Sequence, residues 1–209
     1  MRLAFAVFIG VFMISCGTKV KEIKEVKIGD QVWSANNLDV TTFSNGDSIP
    51  QAQTKEQWDK ANADKQAAWC YYNNEKDFGN LNGKLYNWYA VNDPRGIAPK
   101  GWHVPSKEEW SKLFDFVGGT DVAGEAMKST TGWIDKGNGS NTSGFSSLPS
   151  GYRDLNSQFQ LAGYAGGWWS KTAVDEENAL GVHNAANIKC VTMIAVSKNN
   201  GGSVRLIKD

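Results

Sequence analysis

The side chains best suited to proton or metal chemistry are few. His103 and His183 are the only histidines and stand far apart in the chain. Neither has a cysteine or carboxylate at metal-ligand spacing, so each reads as a hydrogen-bonded structural residue, and no metal or other cofactor is expected. No G-x-S-x-G nucleophile elbow, H-E-x-x-H pair or phosphate-binding P-loop occurs. Asp115, Asp121 and Glu125 are close enough in sequence to form a carboxylate pair. Acidic residues near helix ends are ordinarily solvated, however, and the pair is not assigned a catalytic role.

Aromatic residues offer more. The chain carries 9 tryptophans in 209 residues, and so many imply a Trp-rich core or an aromatic binding face. Trp133, Tyr152, Trp168 and Trp169 alternate with polar loops and with Arg153. Sugar rings stack their C–H faces on flat aromatics while Asn, Asp and Arg bond the hydroxyls, so these five residues are the candidate ligand-binding set. The competing reading is that they build the core. Trp168 and Trp169 must point to opposite faces of a strand, which buries at least one.

The third cysteine-bearing region is the beginning of the sequence. Arg2 precedes an apolar run through Ile14, followed by Ser15-Cys16-Gly17. The run is shorter than the roughly 20 residues a membrane-spanning helix needs, so residues 1–15 read as a signal peptide. Cys16 sits where a bacterial lipoprotein is lipidated, which would anchor the protein to a membrane as an outer-membrane lipoprotein, periplasmic or on the cell surface. Cys70 and Cys190 remain. In an oxidising compartment they pair as a disulfide, or they stay as two buried thiols, and the sequence leaves both open.

Lys+Arg and Asp+Glu balance at 22 each. No basic cluster favours a phosphate backbone, and nucleic acid is not an expected partner. Residues 16–27 mix lysine and glutamate as a solvated tether, and 28–209 form one domain of ordinary size. Around Gly29-Asp30, alternating apolar residues predict a hairpin with a type II′ turn. Thr54 to Gln57 and Ser106 to Glu109 are capping boxes, predicting helices over about 55–64 and from 107 to the Gly118-Gly119 stop. Leu85 to Val91 is buried, as helix or strand. Lys136 to Gly144 is a loop, and Trp168 to Ser170, Ile188 to Val196 and Ser203 to Ile207 read as strands, the last two forming a hairpin. Helices early and strands late give an α+β class: short helices packed on a twisted antiparallel sheet with long loops.

Several segments carry a resemblance: Trp69-Cys70-Tyr71-Tyr72-Asn73-Asn74, Gly83 to Val91, Gly101-Trp102-His103-Val104-Pro105-Ser106 with Glu109-Trp110, Ser143-Gly144-Phe145-Ser146, Gly151-Tyr152-Arg153 and Ser203-Val204-Arg205. In this order they resemble the Fibrobacter succinogenes major paralogous domain family. The resemblance implies a C-type lectin-like fold and secreted or lipid-anchored proteins of Bacteroidetes and Fibrobacteres, mostly without assigned activity. Gly101 to Leu113 is also similar to the formylglycine-generating enzyme superfamily, but that chemistry needs a close pair of redox cysteines in a setting that Cys70 and Cys190 do not match. The lectin calcium motifs are absent from the sequence. Where family members end in Val-Arg-Cys, this chain has Val204-Arg205-Leu206, which leaves Cys190 as the substitute partner for Cys70.

The leading expectation is therefore a non-catalytic binding module of the cell envelope, carbohydrate-binding or engaging a partner protein through the loops after Asp135. An enzyme of the formylglycine-generating type and a structural envelope protein without a small ligand are the alternatives.

Overall fold

The structure, a computed structural model, describes residues 23–209. The signal peptide, Cys16 and the first part of the tether lie outside the described residues. Among those described, no helix is long and apolar enough to cross a membrane.

The described residues begin with the hairpin of β1 (Glu25–Ile28) and β2 (Gln31–Ser34). Gly29 supplies the turn with φ +62°, while Asp30 keeps a negative φ, as a type II′ turn requires. A long loop leads to α1 (Lys55–Ala63), β3 (Trp69–Cys70), α2 (Lys76–Asn82), β4 (Leu85–Tyr86) and α3 (Trp88–Val91). The apolar run 85–91 resolves into both alternatives, two residues of strand and one turn of helix, because Asn87 breaks it. Its side chain accepts from Ala90 N as an N-cap and from Ala68 N across the neighbouring segment.

β5 (Trp102–His103) precedes α4 (Lys107–Phe116) and α5 (Thr120–Met127). Both predicted capping boxes form, Thr54 with Gln57 and Ser106 with Glu109. The second half is β6 (Tyr152–Arg153), β7 (Phe159–Gln160), β8 (Ala165–Ala173), β9 (Asn178–Ala185), β10 (Thr192–Ser197) and β11 (Ile207–Lys208).

The pairings between these strands are antiparallel, in sheets ordered β1-β2-β11-β5 and β10-β9-β8 with two small ribbons, β3-β4 and β6-β7. The predicted hairpin of 188–196 with 203–207 does not form. β10 pairs with β9, Ser203 bridges Trp168 in parallel, and Ile207 lies between Trp33 and His103. The chain after β10 is thus drawn into the middle of the molecule, and first and last strands share a sheet.

Two apolar layers flank these sheets. One centres on Trp33, Trp110, Phe114, Phe145 and Trp168, with Trp33 to Trp110 ring centroids 4.7 Å apart and Phe145 to Trp168 6.0 Å. The other centres on Trp69, Tyr86, Trp88 and Trp169, and a smaller cluster under α1 holds Trp58, Cys70 and Leu85. Eight of the nine tryptophans are buried, Trp102 alone being half-exposed.

Candidate functional site

Five of these aromatic rings lie against cations. Lys84 Nζ sits 4.7 Å from the Trp69 ring, Lys128 Nζ 5.5 Å from Trp133, Lys198 Nζ 4.6 Å from Trp88, Arg153 Cζ 4.8 Å from Trp58 and Arg205 Cζ 4.4 Å from Phe145. All five cations are buried. Each also donates to oxygen: Lys128 Nζ reaches the carbonyls of Ala185, Ala186 and Ile188 at 2.8–3.3 Å, and Lys198 Nζ those of Asp175 and Glu176. Burial holds Lys128 below the usual lysine range and lowers Arg205 to about 9. An aromatic face replaces part of the hydration these charges give up, and the carbonyls replace the rest. The cations thereby tie loop carbonyls such as those of Ala186, Ile188, Asp175, Glu176 and Ser146 to the body of the fold.

This arrangement corrects the aromatic ligand set. Trp133 is buried, its Nε1 bound to Ser129 Oγ and Ser147 O. Trp168 Nε1 donates to Asn37 Oδ1, and Trp169 Nε1 to Tyr86 O. Arg153 is 1% exposed and bonds the carbonyls of Ser157 and Thr54. Trp133 and Arg153 present no face to a ligand, and Trp168 and Trp169 border only a small cavity on the β8-β9-β10 face. The alternation of strand β8 sends Trp168 and Trp169 to opposite faces as expected, but both faces are covered. Tyr152 alone remains half-exposed.

The disulfide expectation is also corrected. Cys70 and Cys190 are free thiols, the first buried and the second partly so. Cys70 is fixed opposite Leu85 in the β3-β4 ribbon, whereas Cys190 passes over α5, where its carbonyl lies against Gly124. Burial pushes the Cys70 thiol up to about 12, with the Arg153 charge offsetting only part. That is opposite to an activated nucleophile.

His103 carries two carboxylates that sequence spacing did not reveal. Glu109 Oε1 lies 2.7 Å from Nε2 and Asp209 Oδ1 2.6 Å from Nδ1. The cluster joins β5, the start of α4 and the chain's end. Burial raises the Glu109 pKa, but the Ser106 N–H, then His103 and the Ser106 hydroxyl, outweigh it and leave the group below its usual range. Glu109 is already committed to the capping box through its other oxygen, so the cluster reads as a clasp.

Two concavities remain. The larger is a cleft of about 760 Å³ between the segment after β2, residues 34–46, and residues 97–100. Hydrogen bonds fasten the wall formed by residues 38–44. Leu38 N donates to Val204 O, Tyr86 Oη to Val40 O, and Ser44 bonds Gly96 O through its N and Arg95 O through its Oγ, all at 2.6–2.8 Å. Beneath it, Asn37 Oδ1 accepts from Arg205 Nε and Trp168 Nε1, while its Nδ2 donates to Asn82 O, Ser150 Oγ and Ser203 Oγ. Leu38, Val40, Ile97 and Leu206 give aliphatic surface, and Thr41 and Thr42 give hydroxyls. Lys24 and Lys100 line it as exposed cations. The buried Lys84 ammonium pairs with Asp39. Its one aromatic, Phe43, is 2% exposed and capped by the Arg95 guanidinium at 4.1 Å.

The smaller is a cavity of about 20 Å³ on the face of β8-β9-β10, lined by Tyr152, Gly167, Gly181, His183, Val196 and Asn200 among others. The sequence singled out Tyr152. It missed Asn200 because nothing marks a loop asparagine, and His183 because its neighbours come from other strands.

Comparison with known proteins agrees with the motifs. No curated protein and no solved structure matches the chain. The family model described as Fibrobacter succinogenes major domain matches residues 26–208, which spans β1 through β11. The chain belongs to the Fibrobacter succinogenes major domain family.

Proposed function

We propose that this chain is an exported, lipid-anchored binding module of the cell envelope that holds a segment of a partner protein in the cleft between residues 34–46 and 97–100. The supporting observation is the cleft itself. At about 760 Å³ it has the size of sites that enclose a ligand, generally ~300–1,000 Å³, and its walls are fixed in advance by the hydrogen bonds of Asn37, Leu38, Val40 and Ser44. A preformed site loses little freedom on binding.

The lining selects the ligand. Stacking of a sugar needs an open aromatic face, and Phe43 is covered. Aliphatic walls with hydroxyls and two cations suit an extended polypeptide bearing aliphatic and acidic side chains. The C-type lectin-like reading of the fold belongs to the same proposal. It is supported by β1 and β11 lying in one sheet on either side of β2, short helices packed beside it and long pinned loops. Export and anchoring rest on the apolar run before Cys16.

Selecting a random peptide library against the full chain tests the cleft. Enriched peptides should combine aliphatic and acidic residues and bind a Lys24→Glu/Lys100→Glu variant at least ~10-fold more weakly, a loss of ~1.4 kcal/mol. Equal binding to the variant would remove the cleft from consideration. Incorporation of labelled fatty acid into the wild type but not into Cys16→Ser tests the anchor.

A further inference from the structure

The outer strands of the two larger sheets, with one exception, carry something that keeps a further strand away. β1 is four residues long and charged at Glu25 and Lys27. β5 has two residues. β8 shifts register after Trp169, and its outer side is already bridged by Gly151 at Gly166 and by Ser203 at Trp168. The exception is β10. Thr192-Met193-Ile194-Ala195-Val196-Ser197 keeps unbroken antiparallel register with β9 over six residues and ends its sheet. It holds no charge, no proline and no bulge, the devices by which proteins blunt such an edge.

In an antiparallel ladder every second residue turns its N–H and C=O away from the partner strand. No backbone group of Thr192 to Val196 bonds any described segment other than β9, so those outward groups form an open edge. Thr192, Ile194 and Ala195 are exposed. Ile194 is 49% exposed and lies opposite Gly181, so β9 gives it no side chain to pack on.

The same residues select the occupant. A peptide recognised through charge would find none on this strand, whereas a second copy finds a match. A two-fold axis normal to the sheet at Ile194 sets that residue against its own counterpart, Thr192 against Val196 and Met193 against Ala195, with each pair on one face of the sheet. Every pair is uncharged, and two of the three join β-branched side chains, which stabilise cross-strand contacts. Moving the axis to Ala195 would engage Ser197, whose carbonyl already accepts from Asn200 N.

We propose that β10 is a self-association edge: two copies pair antiparallel through Thr192 to Val196, centred on Ile194, and join their three-stranded sheets into one continuous sheet. The surface is separate from the large cleft and does not depend on its occupant.

The test is sedimentation of the full chain across a concentration series, in mild detergent to cover the apolar run before Cys16, with amide hydrogen exchange read at the lowest and highest concentrations. One paired edge buries little surface, so the expected dimer dissociates at ~100 μM. Association should slow exchange in residues 192–196. Ile194→Lys should weaken it at least ~10-fold, because the two lysines would face each other, and Ile194→Glu should do the same. An equimolar mixture of the two variants should associate at least ~10-fold more tightly than either alone, which happens only if the two positions meet. The position is exposed, so both variants keep the fold. A wild type that stays monomeric to ~1 mM would overturn the proposal. So would association that neither variant weakens, or a mixture no tighter than its components. Slowed exchange at residues 192–196 in a monomer holding a library-selected peptide would assign the edge to a partner protein and equally overturn it.

Discussion

Replacing Asn37 with leucine tests how the cleft wall is held. The asparagine is 8% exposed, and its oxygen accepts from Arg205 Nε at 2.8 Å and Trp168 Nε1 at 2.9 Å. Its amide group donates to Asn82 O at 2.8 Å, Ser150 Oγ at 3.1 Å and Ser203 Oγ at 3.3 Å. Leucine keeps the branching and the number of heavy atoms but is bulkier, so any overpacking adds to the loss of the polar contacts. The guanidinium and the indole lose their shared acceptor. An orphaned neutral donor costs ~1–3 kcal/mol and a charged one more, while Arg205 keeps its bonds to the carbonyls of Ser34 and Ser146. Ser150 retains Leu148 O as an acceptor. The sum is a loss of about 3–5 kcal/mol, in the tail reserved for broken buried networks. Urea unfolding followed by tryptophan fluorescence should show a lower midpoint at an unchanged m-value. Asn36→Leu, one residue earlier and exposed, should stay within ~0.5 kcal/mol. A loss below about 1 kcal/mol for Asn37→Leu would refute the hub, because two buried donors cannot go unpaired so cheaply.

Three further outcomes follow from the same geometry. Thiol reagents should modify Cys190 in the native protein and Cys70 only after unfolding, and peptide mapping under non-reducing conditions should recover no Cys70–Cys190 bridge. Ser106→Ala removes the hydroxyl that accepts from Glu109 N at the start of α4 and should lower stability by ~1 kcal/mol in denaturant titration. His183, held by burial below the ordinary histidine value of 6.5, binds its proton more readily when unfolded, so its contribution is constant above that pH and turns unfavourable as pH falls below it. Unfolding curves on either side of pH 6.5 should show wild type losing more stability on acidification than His183→Phe; equal losses would contradict the burial.

Local signals were legible where a few neighbouring residues decide the structure. The Gly29 turn needs one positive φ, and the Thr54 and Ser106 caps need one hydroxyl and one amide three residues on. α5 was missed because Thr120 to Met127 has neither a capping side chain nor a clear apolar stripe, and it is set by Gly119 and by packing against Cys190. β9 was missed because Asn178, Gly181, His183 and Asn184 interrupt its apolar alternation. The hairpin drawn between residues 188–196 and 203–207 failed for a non-local reason: Ser203 and Ile207 are claimed by Trp168 and Trp33 from distant strands. The aromatic ligand set failed because sequence shows a tryptophan beside an arginine but not whether the pair faces water. Here Trp58 and Phe159 enclose Arg153, and the pairing is internal.

The central claim, that recognition takes place between residues 34–46 and 97–100, is tested most directly by amide hydrogen exchange on the full chain with and without a library-selected peptide. The account predicts slowed exchange in those two segments, with the amides around Tyr152 and His183 unchanged. Protection confined to the β8-β9-β10 face, or absent from both cleft walls at saturating peptide, would contradict it.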